Sequence, residues 1–318
     1  MKELVKDIWG SMLMGLVIPG ILLNFAAGVW DKAVASVEPE PTQQMRSVEL
    51  PVKVRRGDAV TEENMDTYLA GVVLQEMPAS FEKEALKAQA VVARTYACKA
   101  YTTGGKHGDG SVCIEPSCCQ AWISEENYLQ RGGTAESVER VRAAVLETTG
   151  QVLTYERELI EATYFSCSGG RTEDAVAVWG ADFPYLQAVD SPGEEQSRVY
   201  TDSVILSPSE LEEKLQISLS EDPQNWVGQI TYTNGGGVDT VVLGGTFYTG
   251  LELRQKLGLR STAFSLSASK DGICFTTKGY GHRVGMSQYG ADAMAVAGST
   301  YDKILAHYYQ GIQLTQLN

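Results

Sequence analysis

One carboxyl group in the sequence has the surroundings that a general acid requires. Glu76 lies in the segment Leu74-Gln-Glu-Met-Pro78, where a predicted helix ends because proline disfavours helical geometry at the residue before it. The negative end of the helix dipole and the apolar neighbours both disfavour a carboxylate, so both raise a carboxyl pKa. General acid catalysis at neutral pH needs such a shift. The position alone leaves a solvent-facing helix glutamate as the alternative.

A second segment, Tyr164-Phe-Ser-Cys-Ser-Gly-Gly-Arg-Thr-Glu173, predicts a strand that runs into a loop rich in glycine and hydroxyl groups. Such a loop can direct backbone N–H groups and the hydroxyl of Ser166 or Ser168 towards a ligand. The alternative is that Gly169-Gly170 simply forms a tight turn.

A third segment, Gly279-Tyr-Gly-His-Arg-Val-Gly-Met-Ser-Gln-Tyr-Gly290, predicts a close-packed backbone turn. Its glycines do not fit the dinucleotide-binding pattern G-x-G-x-x-G, because Val284 occupies the last position, so a nucleotide site is not expected. The turn would present His282, Ser287 and Gln288. A purely structural turn capped by Ser287 is the alternative.

The cysteines form the fourth feature. Three of the six cluster with a histidine in the pattern His107-x5-Cys113-x4-Cys118-Cys119. Mixed histidine and cysteine ligands at short spacing suit Zn²⁺, and the spacing favours His107, Cys113 and Cys119 as the ligands. A disulfide is the alternative, since disulfides are common outside the cytoplasm. A bridge between the adjacent Cys118 and Cys119 would be strained.

Two helices would position Glu76. Thr61 can cap the first, which we expect to end near Met77, and Ser80 can cap the second, which runs to Gly104-Gly105. Alanines lie on several faces of the second helix, so other elements can approach it from all sides. It is therefore expected to be a buried central helix.

The N-terminal region predicts the compartment. Residues 8–30 contain no Asp, Glu, Lys or Arg, and this uncharged run is long enough to form a transmembrane helix. Residues 1–7 carry Lys2 and Lys6 and would lie in the cytoplasm. A tether (31–47) and an extracytoplasmic domain (48–318) would follow. A cleaved signal peptide is the alternative, favoured by Ala33-Val34-Ala35 but disfavoured by the length of the apolar run.

The composition excludes one class of ligand and indicates the fold. The formal net charge is −14, which argues against nucleic acid, because neutralising phosphates needs clusters of Lys and Arg. Helices and strands alternate irregularly, which predicts an α+β fold. Residues 190–257 are richer in charge and turn signals, so we expect them to form a smaller subdomain within the larger domain.

Taken together, the segments resemble the stage II sporulation protein D family, the peptidoglycan lytic transglycosylases of endospore-forming bacteria. The resemblance extends from about Val48 to Leu314 and includes the segment that contains Arg94, a further candidate for the substrate groove. It implies that Glu76 is the catalytic residue. The family motif usually has glycine where this chain has Arg283.

The resemblance also implies a mechanism, a metal and partners. A lytic transglycosylase needs one acid and no second carboxylate, because the C6 hydroxyl of the sugar is the nucleophile. Some similar proteins hold zinc near the groove. Expected partners are glycan strands, the amidase stage II sporulation protein P and the membrane protein stage II sporulation protein M. One alternative is a non-catalytic glycan-binding module that stimulates an amidase. The other is a zinc hydrolase that cuts the peptide stems, but the H-E-x-x-H motif of such enzymes is not present.

Overall fold

The structure, a computed structural model, describes residues 51–317. None of the helices in this part of the chain is both long enough and apolar enough to cross a membrane. The predicted cytoplasmic segment 1–7, the transmembrane span 8–30 and the tether 31–47 lie outside the described residues, so they stay predictions.

Helices and strands alternate irregularly along this region, which confirms the α+β class. The α-helices are α1 (Met65–Glu76), α2 (Lys83–Thr103), α3 (Glu125–Gln130), α4 (Ala135–Glu147), α5 (Ala175–Trp179), α6 (Pro208–Leu215), α7 (Gly250–Leu257), α8 (Gln288–Val296) and α9 (Tyr301–Tyr308). The strands are β1 (Pro51–Arg56), β2 (Ala59–Asn64), β3 (Ser111–Cys113), β4 (Gln151–Tyr155), β5 (Glu158–Leu159), β6 (Tyr164–Phe165), β7 (Thr201–Leu206), β8 (Val227–Tyr232), β9 (Val238–Leu243), β10 (Thr246–Thr249), β11 (Phe264–Ser269), β12 (Gly272–Lys278), β13 (Met286–Ser287) and β14 (Gln313–Gln316).

The central helix of the main core is α2, as predicted. Its alanines at 85, 88, 90, 93 and 97 are almost completely buried on several faces. Helices α1, α4, α8 and α9 and strand β4 all pack against it. Small side chains permit this close approach from several directions, so the elements around α2 form one continuous core.

The ends of the first two helices show where the sequence interpretation was right and where it was wrong. Helix α1 ends at Glu76 before Pro78, and α2 ends at Thr103 before Gly104, as expected. Both predicted N-caps are wrong. Thr61 lies in β2, and Asn64 caps α1 by accepting a hydrogen bond from the Thr67 N–H. Helix α2 begins at Lys83, with Glu82 rather than Ser80 at its N-cap position. Strand β2 extends to Asn64 because it pairs with β1 over its full length.

Two short parallel pairings bring the candidate segments together. Strand β6 pairs with β13, so Tyr164 lies opposite Met286, and the second and third segments meet along one wall. Strand β3 pairs with β1 and places Cys113 opposite Arg55. Each pairing is only two or three residues long. The strand at Tyr164 was predicted, whereas β3 and β13 are too short to be recognised from the sequence pattern.

A second hydrophobic core lies in the C-terminal half of the chain. It is built from α6, α7 and the two three-stranded sheets with strand orders β10-β9-β8 and β11-β12-β7. Its buried residues extend from Leu206 to Phe275, which passes the end of the predicted subdomain at 257. Residues 51–317 nevertheless belong to one compact unit, and the subdomain boundary at 190–257 stays a prediction.

Arg94 holds the main core together and does not face the groove. Its side chain is fully buried and pairs with Asp66 at 3.0 Å. The guanidinium also donates to the backbone oxygens of Val145, Thr148 and Gln151 at 3.1, 2.7 and 3.3 Å. These carbonyl groups end α4 and begin β4, so Arg94 joins α2, α1 and the α4–β4 connection.

We predict that Arg94→Met destabilises the protein by about 3–5 kcal/mol, because it removes the cationic partner of the partly buried Asp66 carboxylate and one donor from each of several buried carbonyl groups. Urea denaturation measures the change in the free energy of unfolding. Arg142→Met is the matched control. Arg142 is about half exposed and pairs with Glu125 and Glu139, so its loss should change stability by less than about 1 kcal/mol. Equal effects of the two substitutions would contradict the structural role of Arg94.

Candidate active site

Glu76 is the last residue of α1, and a loop closes over it. The Ala121 N–H donates a hydrogen bond to Glu76 Oε1 at 2.7 Å, and the Ile123 N–H donates to the Gly71 carbonyl at 3.2 Å. The loop can lie this close because Gly71 has no side chain: an added Cβ would lie 2.2 Å from Trp122 Nε1. The glycine in α1 therefore lets the loop present a backbone donor to the carboxyl group.

The protonation of Glu76 is set by opposing influences. Burial raises the pKa of the Glu76 carboxyl group, while hydrogen bonds from the Ala121 N–H and the Tyr164 hydroxyl lower it, and the net shift is upward. The two donors stabilise the carboxylate, whereas burial favours the neutral acid. The raised pKa therefore favours the neutral acid, and the donors still stabilise the carboxylate once the proton has been released.

Glu76 opens into a cavity of about 760 Å³. Aromatic side chains provide much of its wall, and two of them are substantially exposed: Trp179 at 42% and Tyr280 at 47%. Exposed aromatic rings beside polar groups suit the apolar faces of pyranose rings. The cavity is also lined by Tyr96, Lys106, Pro116, Ser117, Cys118, Cys119, Gln120, Glu161, Ala162, Thr163, Tyr164, Phe165, Ser166, Phe183, Gly281 and His282.

His282 lines this cavity but both of its ring nitrogens are engaged. Nε2 donates to the Tyr164 carbonyl at 3.0 Å, and Nδ1 accepts from the Val284 N–H at 3.2 Å. Burial lowers the pKa of His282 to about 4, so the ring is neutral at pH 7. The ring also packs between Phe165 and Trp179. His282 therefore fixes the wall rather than acting as a free base.

The two glycine-containing segments are joined by Glu194, which the sequence interpretation missed. This carboxylate is almost fully buried and accepts from the backbone N–H groups of Ser168 and Gly169, both at 2.9 Å. The hydroxyls of Ser168, Ser191 and Ser287 donate to it as well. The loop donors that were expected to face a ligand thus face Glu194 instead.

The six candidate groove residues therefore separate into two groups. Ser166 and His282 line the cavity with Glu76. Ser168 and Ser287 are completely buried around Glu194, and Gln288 donates to Gln89 Oε1 at 3.3 Å inside the core. Arg94 belongs to the core, as described above. Four of the six candidates thus support the wall or the core rather than the groove surface.

The predicted metal ligands do lie together, and Cys118 joins them. The ligand atoms of His107, Cys113, Cys118 and Cys119 all lie within 4.8 Å of one another. The Sγ atoms of Cys118 and Cys119 are 3.9 Å apart, and they lie 3.8 and 3.6 Å from His107 Nε2. Ligands at a Zn–S distance of about 2.3 Å in a tetrahedral site are separated by about 3.8 Å. The cluster therefore has the dimensions of a zinc site.

One thiol of this cluster, that of Cys113, also has the chemistry that a metal site needs, whereas hydrogen bonding to Cys113 raises the pKa of the Cys118 thiol to about 11. All six cysteines of the chain are free. Burial alone would raise the pKa of the Cys113 thiol, but hydrogen bonds from the Glu115 N–H, His107 and the neighbouring thiols lower it to about 7. A thiol that ionises near neutral pH is a good metal ligand. Cys118 and Cys119 also line the cavity, so the cluster adjoins Glu76 through the loop at 119–121.

Comparisons with known proteins identify the family. A family profile described as “Stage II sporulation protein” matches residues 55–155. A Bacillus amyloliquefaciens protein named “Stage II sporulation protein D” is 39% identical over 336 residues, covering 99% of this chain and 96% of that protein. The Bacillus subtilis protein of the same name is 37% identical over 295 residues, covering 90% and 85%. The chain belongs to the stage II sporulation protein D family.

A third relative carries a different name. A Bacillus subtilis protein named “Amidase enhancer” is 30% identical over 305 residues. That alignment covers 78% of this chain but only 40% of the relative. The membership in a sporulation family confirms the resemblance that the sequence motifs indicated.

Arg283 replaces the glycine that the family motif usually has, and the structure shows how this chain accommodates it. The residue has φ = 65°, in the left-handed region that favours glycine. Its buried guanidinium pairs with Glu173 at 2.9 Å and donates to the carbonyl groups of Ser168, Arg171 and Gly235. The arginine thus ties three loops together behind the groove wall.

Several residues at the site were missed because nothing in their local sequence distinguishes them. The Ala121 N–H reaches Glu76 from the loop, and Gln120 beside it lines the cavity. Glu161 also lines the cavity while pairing with Lys99 at 2.7 Å. Tyr164 was noticed only as the start of a motif. A long-range backbone contact such as Ala121 to Glu76 has no periodic signal, so only the folded chain reveals it.

We predict that Arg283→Gly destabilises the protein by about 3–5 kcal/mol, although it relieves the left-handed backbone strain. The loss arises because the buried carboxylate of Glu173 keeps no cationic partner. The double variant Arg283→Gly, Glu173→Gln should recover part of this loss, and urea denaturation of the single and double variants measures the coupling. An Arg283→Gly protein as stable as the parent would show that the ion pair does not hold the loops.

Proposed function

We propose that the protein is a lytic transglycosylase that cleaves the glycan strands of peptidoglycan during sporulation. The observation that carries the proposal is a single partly buried carboxyl group, Glu76, with a raised pKa and two donors for its ionised form, at the end of a large aromatic cavity. Membership in a sporulation protein family supports a substrate in the cell wall.

The proposed chemistry uses Glu76 twice. The carboxyl group first donates its proton to the glycosidic oxygen, and the bond from that oxygen to the anomeric carbon breaks. The C6 hydroxyl oxygen of the same sugar then bonds to the anomeric carbon, and its proton returns to the Glu76 carboxylate. No water is consumed, so the product carries a 1,6-anhydro ring. The intramolecular nucleophile has an entropic advantage over water.

The walls of the cavity favour a saccharide. Trp179 and Tyr280 present exposed rings on which the apolar faces of sugars can stack, while the neighbouring carboxyl, hydroxyl and amide groups can bind sugar hydroxyls. The second carboxyl group of the cavity, Glu161, is engaged by Lys99 at 2.7 Å. This engagement favours Glu76 as the single acid of the mechanism.

We also propose that the Cys/His cluster, defined as His107, Cys113, Cys118 and Cys119, binds one zinc ion. Four protein ligands leave no open position, which is typical of a structural site rather than a catalytic one. Zinc there would cross-link the segment from His107 to Cys119 and so hold the neighbouring Ala121 N–H against Glu76. The three-ligand arrangement expected from spacing is thereby extended by Cys118.

The cellular setting is likewise a proposal. The charge-free run at 8–30 would anchor the chain in the cell membrane, with the N-terminus inside and the domain outside. There it would act during engulfment with the amidase stage II sporulation protein P and the membrane protein stage II sporulation protein M. The relative named for amidase enhancement supports a link to an amidase.

The same relative favours a second candidate function, a non-catalytic module that binds glycan and stimulates a partner amidase. In that function the cavity would bind a strand without cleaving it. Glu76 then contributes no proton transfer, and its replacement by an isosteric amide would leave the function intact.

We predict that Glu76→Gln lowers turnover on peptide-free glycan strands by 10²–10⁴-fold or more, because loss of general acid–base assistance typically has about this effect and both steps use this one residue. Binding to the strands should fall much less, since the amide keeps the size and most hydrogen bonds. Turnover is measured by chromatography of released fragments and binding by co-sedimentation with the strands.

Glu161→Gln is the matched control, because it alters the other carboxyl group that lines the cavity. It should retain most of the turnover. A loss as large as that of Glu76→Gln would instead indicate a two-carboxylate hydrolase. Full turnover by Glu76→Gln would remove Glu76 from the mechanism. No turnover by the parent protein, together with unchanged amidase stimulation by Glu76→Gln, would favour the non-catalytic module.

We predict about one zinc ion per chain in protein purified without chelators. Cys118→Ser should weaken zinc binding at least as much as an outer-shell substitution does, about 10–100-fold, because it removes a direct ligand. Metal content is measured by atomic emission and affinity by competition with a chromophoric chelator. Cys274→Ser, which alters a cysteine outside the cluster, should have no effect. A zinc-free protein with a disulfide among Cys113, Cys118 and Cys119 would refute the site.

A further inference from the structure

Trp122 lies between the two backbone contacts that hold the loop against α1. Ala121 before it donates its N–H to Glu76, and Ile123 after it donates its N–H to the Gly71 carbonyl. The indole Nε1 is 2.2 Å from the position that a Cβ on Gly71 would take, and it has no hydrogen-bond partner among residues 51–317. The indole is therefore positioned by packing rather than by a hydrogen bond.

The indole also contacts the guanidinium group of Arg56, the last residue of β1. The Cζ atom of Arg56 lies 4.4 Å from the centroid of the Trp122 ring, which is the geometry of a cation–π contact. A planar guanidinium can stack on an aromatic face while its edge donates hydrogen bonds to a carboxylate. Trp122 is therefore in contact with both α1 and the end of β1.

Glu63 in β2 fixes this guanidinium group. Arg56 Nη2 donates to Glu63 Oε2 at 3.3 Å and Nη1 donates to Glu63 Oε1, so both carboxylate oxygens are bound. The Thr61 hydroxyl donates to the same carboxylate at 2.8 Å. Burial raises the pKa of Glu63, but the hydrogen bonds from Arg56 and Thr61 outweigh it, and the net shift is downward. Glu63 is therefore ionised at neutral pH and holds the guanidinium in one orientation.

The hairpin that carries Arg56 is anchored in the main core. Val52, Val54 and Arg56 alternate along one face of β1, and the two valines are almost completely buried. Their partners in β2 are Glu63 and Thr61, which therefore lie on the same face as Arg56. The core thus fixes the position from which Arg56 contacts the indole.

We propose that Arg56, Glu63 and Trp122 form a latch that holds the Ala121 N–H against Glu76. Glu63 aligns Arg56, Arg56 stacks on the indole, and the indole fixes the loop that presents the backbone donor. All three are positioning residues: neither Arg56 nor Trp122 lines the cavity, so they act through the loop and not on the glycan. The inference rests on the proposed function of Glu76 as acid and then base.

The first test measures the Ala121 hydrogen bond directly and does not depend on activity. Hydrogen exchange of the Ala121 amide is followed by NMR in full-length protein. In Arg56→Met this amide should exchange about 2–30-fold faster, because the loop loses a cation–π contact of ordinary strength. Glu63→Gln should change the rate in the same direction by a smaller factor, because the guanidinium keeps its charge but loses its ionic partner.

The second test measures the pKa of Glu76 by NMR titration of protein with ¹³C-labelled glutamate carboxyl groups, and Glu76→Gln identifies the resonance. A weaker bond from Ala121 destabilises the carboxylate, so Arg56→Met and Glu63→Gln should both raise the pKa of Glu76. The two substitutions remove charges of opposite sign. A direct electrostatic effect on Glu76 would therefore shift its pKa in opposite directions, and that result would overturn the proposal.

All of these variants retain the other titratable groups around Glu76. The groups that line the cavity with it or lie beneath it are Tyr68, Tyr96, Lys106, Cys118, Cys119, Glu161, Tyr164, Tyr280 and His282.

Arg55→Met is the matched control, because it removes the same charge one position earlier in β1. Side chains alternate along a strand, so Arg55 lies on the opposite face, where it pairs with Asp109 at 2.5 Å. It should leave the exchange of the Ala121 amide and the pKa of Glu76 unchanged. Thermal unfolding verifies that the variants fold.

Glu63→Gln, which keeps the size of the side chain, decides the question if Arg56→Met does not fold. A parental exchange rate of the Ala121 amide in the folded latch variants overturns the proposal, whether or not the protein cleaves glycan.

The third test is kinetic. Activity requires the protonated acid, so the rate is lost as the pH rises through the pKa of Glu76. Arg56→Met and Glu63→Gln should both move this loss to higher pH. Arg56→Met should also lower kcat by about 2–30-fold with little change in KM, because the latch acts on the carboxylate and not on the bound glycan.

The tests separate the inference from the function that it assumes. Parent protein that cleaves no strand would refute the transglycosylase, while amide exchange would still decide whether the latch holds Ala121. Cleavage by Arg56→Met with parental kcat and an unshifted pH profile would overturn the inference and leave the transglycosylase standing.

Discussion

The contact on which the site depends is the hydrogen bond from the Ala121 N–H to the carboxyl group of Glu76. It exists because Gly71 leaves room for the loop against α1, and because α1 ends before Pro78 and so places the glutamate at the rim of the cavity. Burial raises the pKa of the Glu76 carboxyl group, and the hydrogen bond from the Ala121 N–H stabilises its carboxylate form. One residue can therefore serve as acid and then as base without a second carboxylate.

The wall opposite this contact is rigid because two buried carboxylates hold it from behind. Glu194 binds the loop after β6 and the start of α8, and Glu173 pairs with Arg283 to bind the turn before β13. Glu194 lies outside the three candidate segments, and Glu173 is the last residue of the second. Their burial is compensated by several donors each, which is what a buried charge requires. The glycine-rich segments thus shape the groove through these internal contacts rather than by contacting the ligand themselves.

Much of the fold could be predicted from the sequence, and part of the site. The ends of α1 and α2 followed from Pro78 and Gly104, and the buried alanines of α2 followed from their distribution over several faces. Glu76 and the Cys/His cluster followed from motif and spacing. Ser168, Ser287 and Arg94 have the residue types of a binding site, yet their partners are Glu194 and the core. Such partners are distant in sequence, and local chemistry cannot reveal which polar groups a buried side chain will meet.

The central claim is that one carboxyl group cleaves glycan without water. The most direct measurement is mass spectrometry of the products that the purified protein releases from peptide-free glycan strands in H₂¹⁸O. The account predicts 1,6-anhydro ends, one water lighter than hydrolysis products, with no ¹⁸O incorporated. Reducing ends that carry ¹⁸O would contradict it and would require a second catalytic group to activate water.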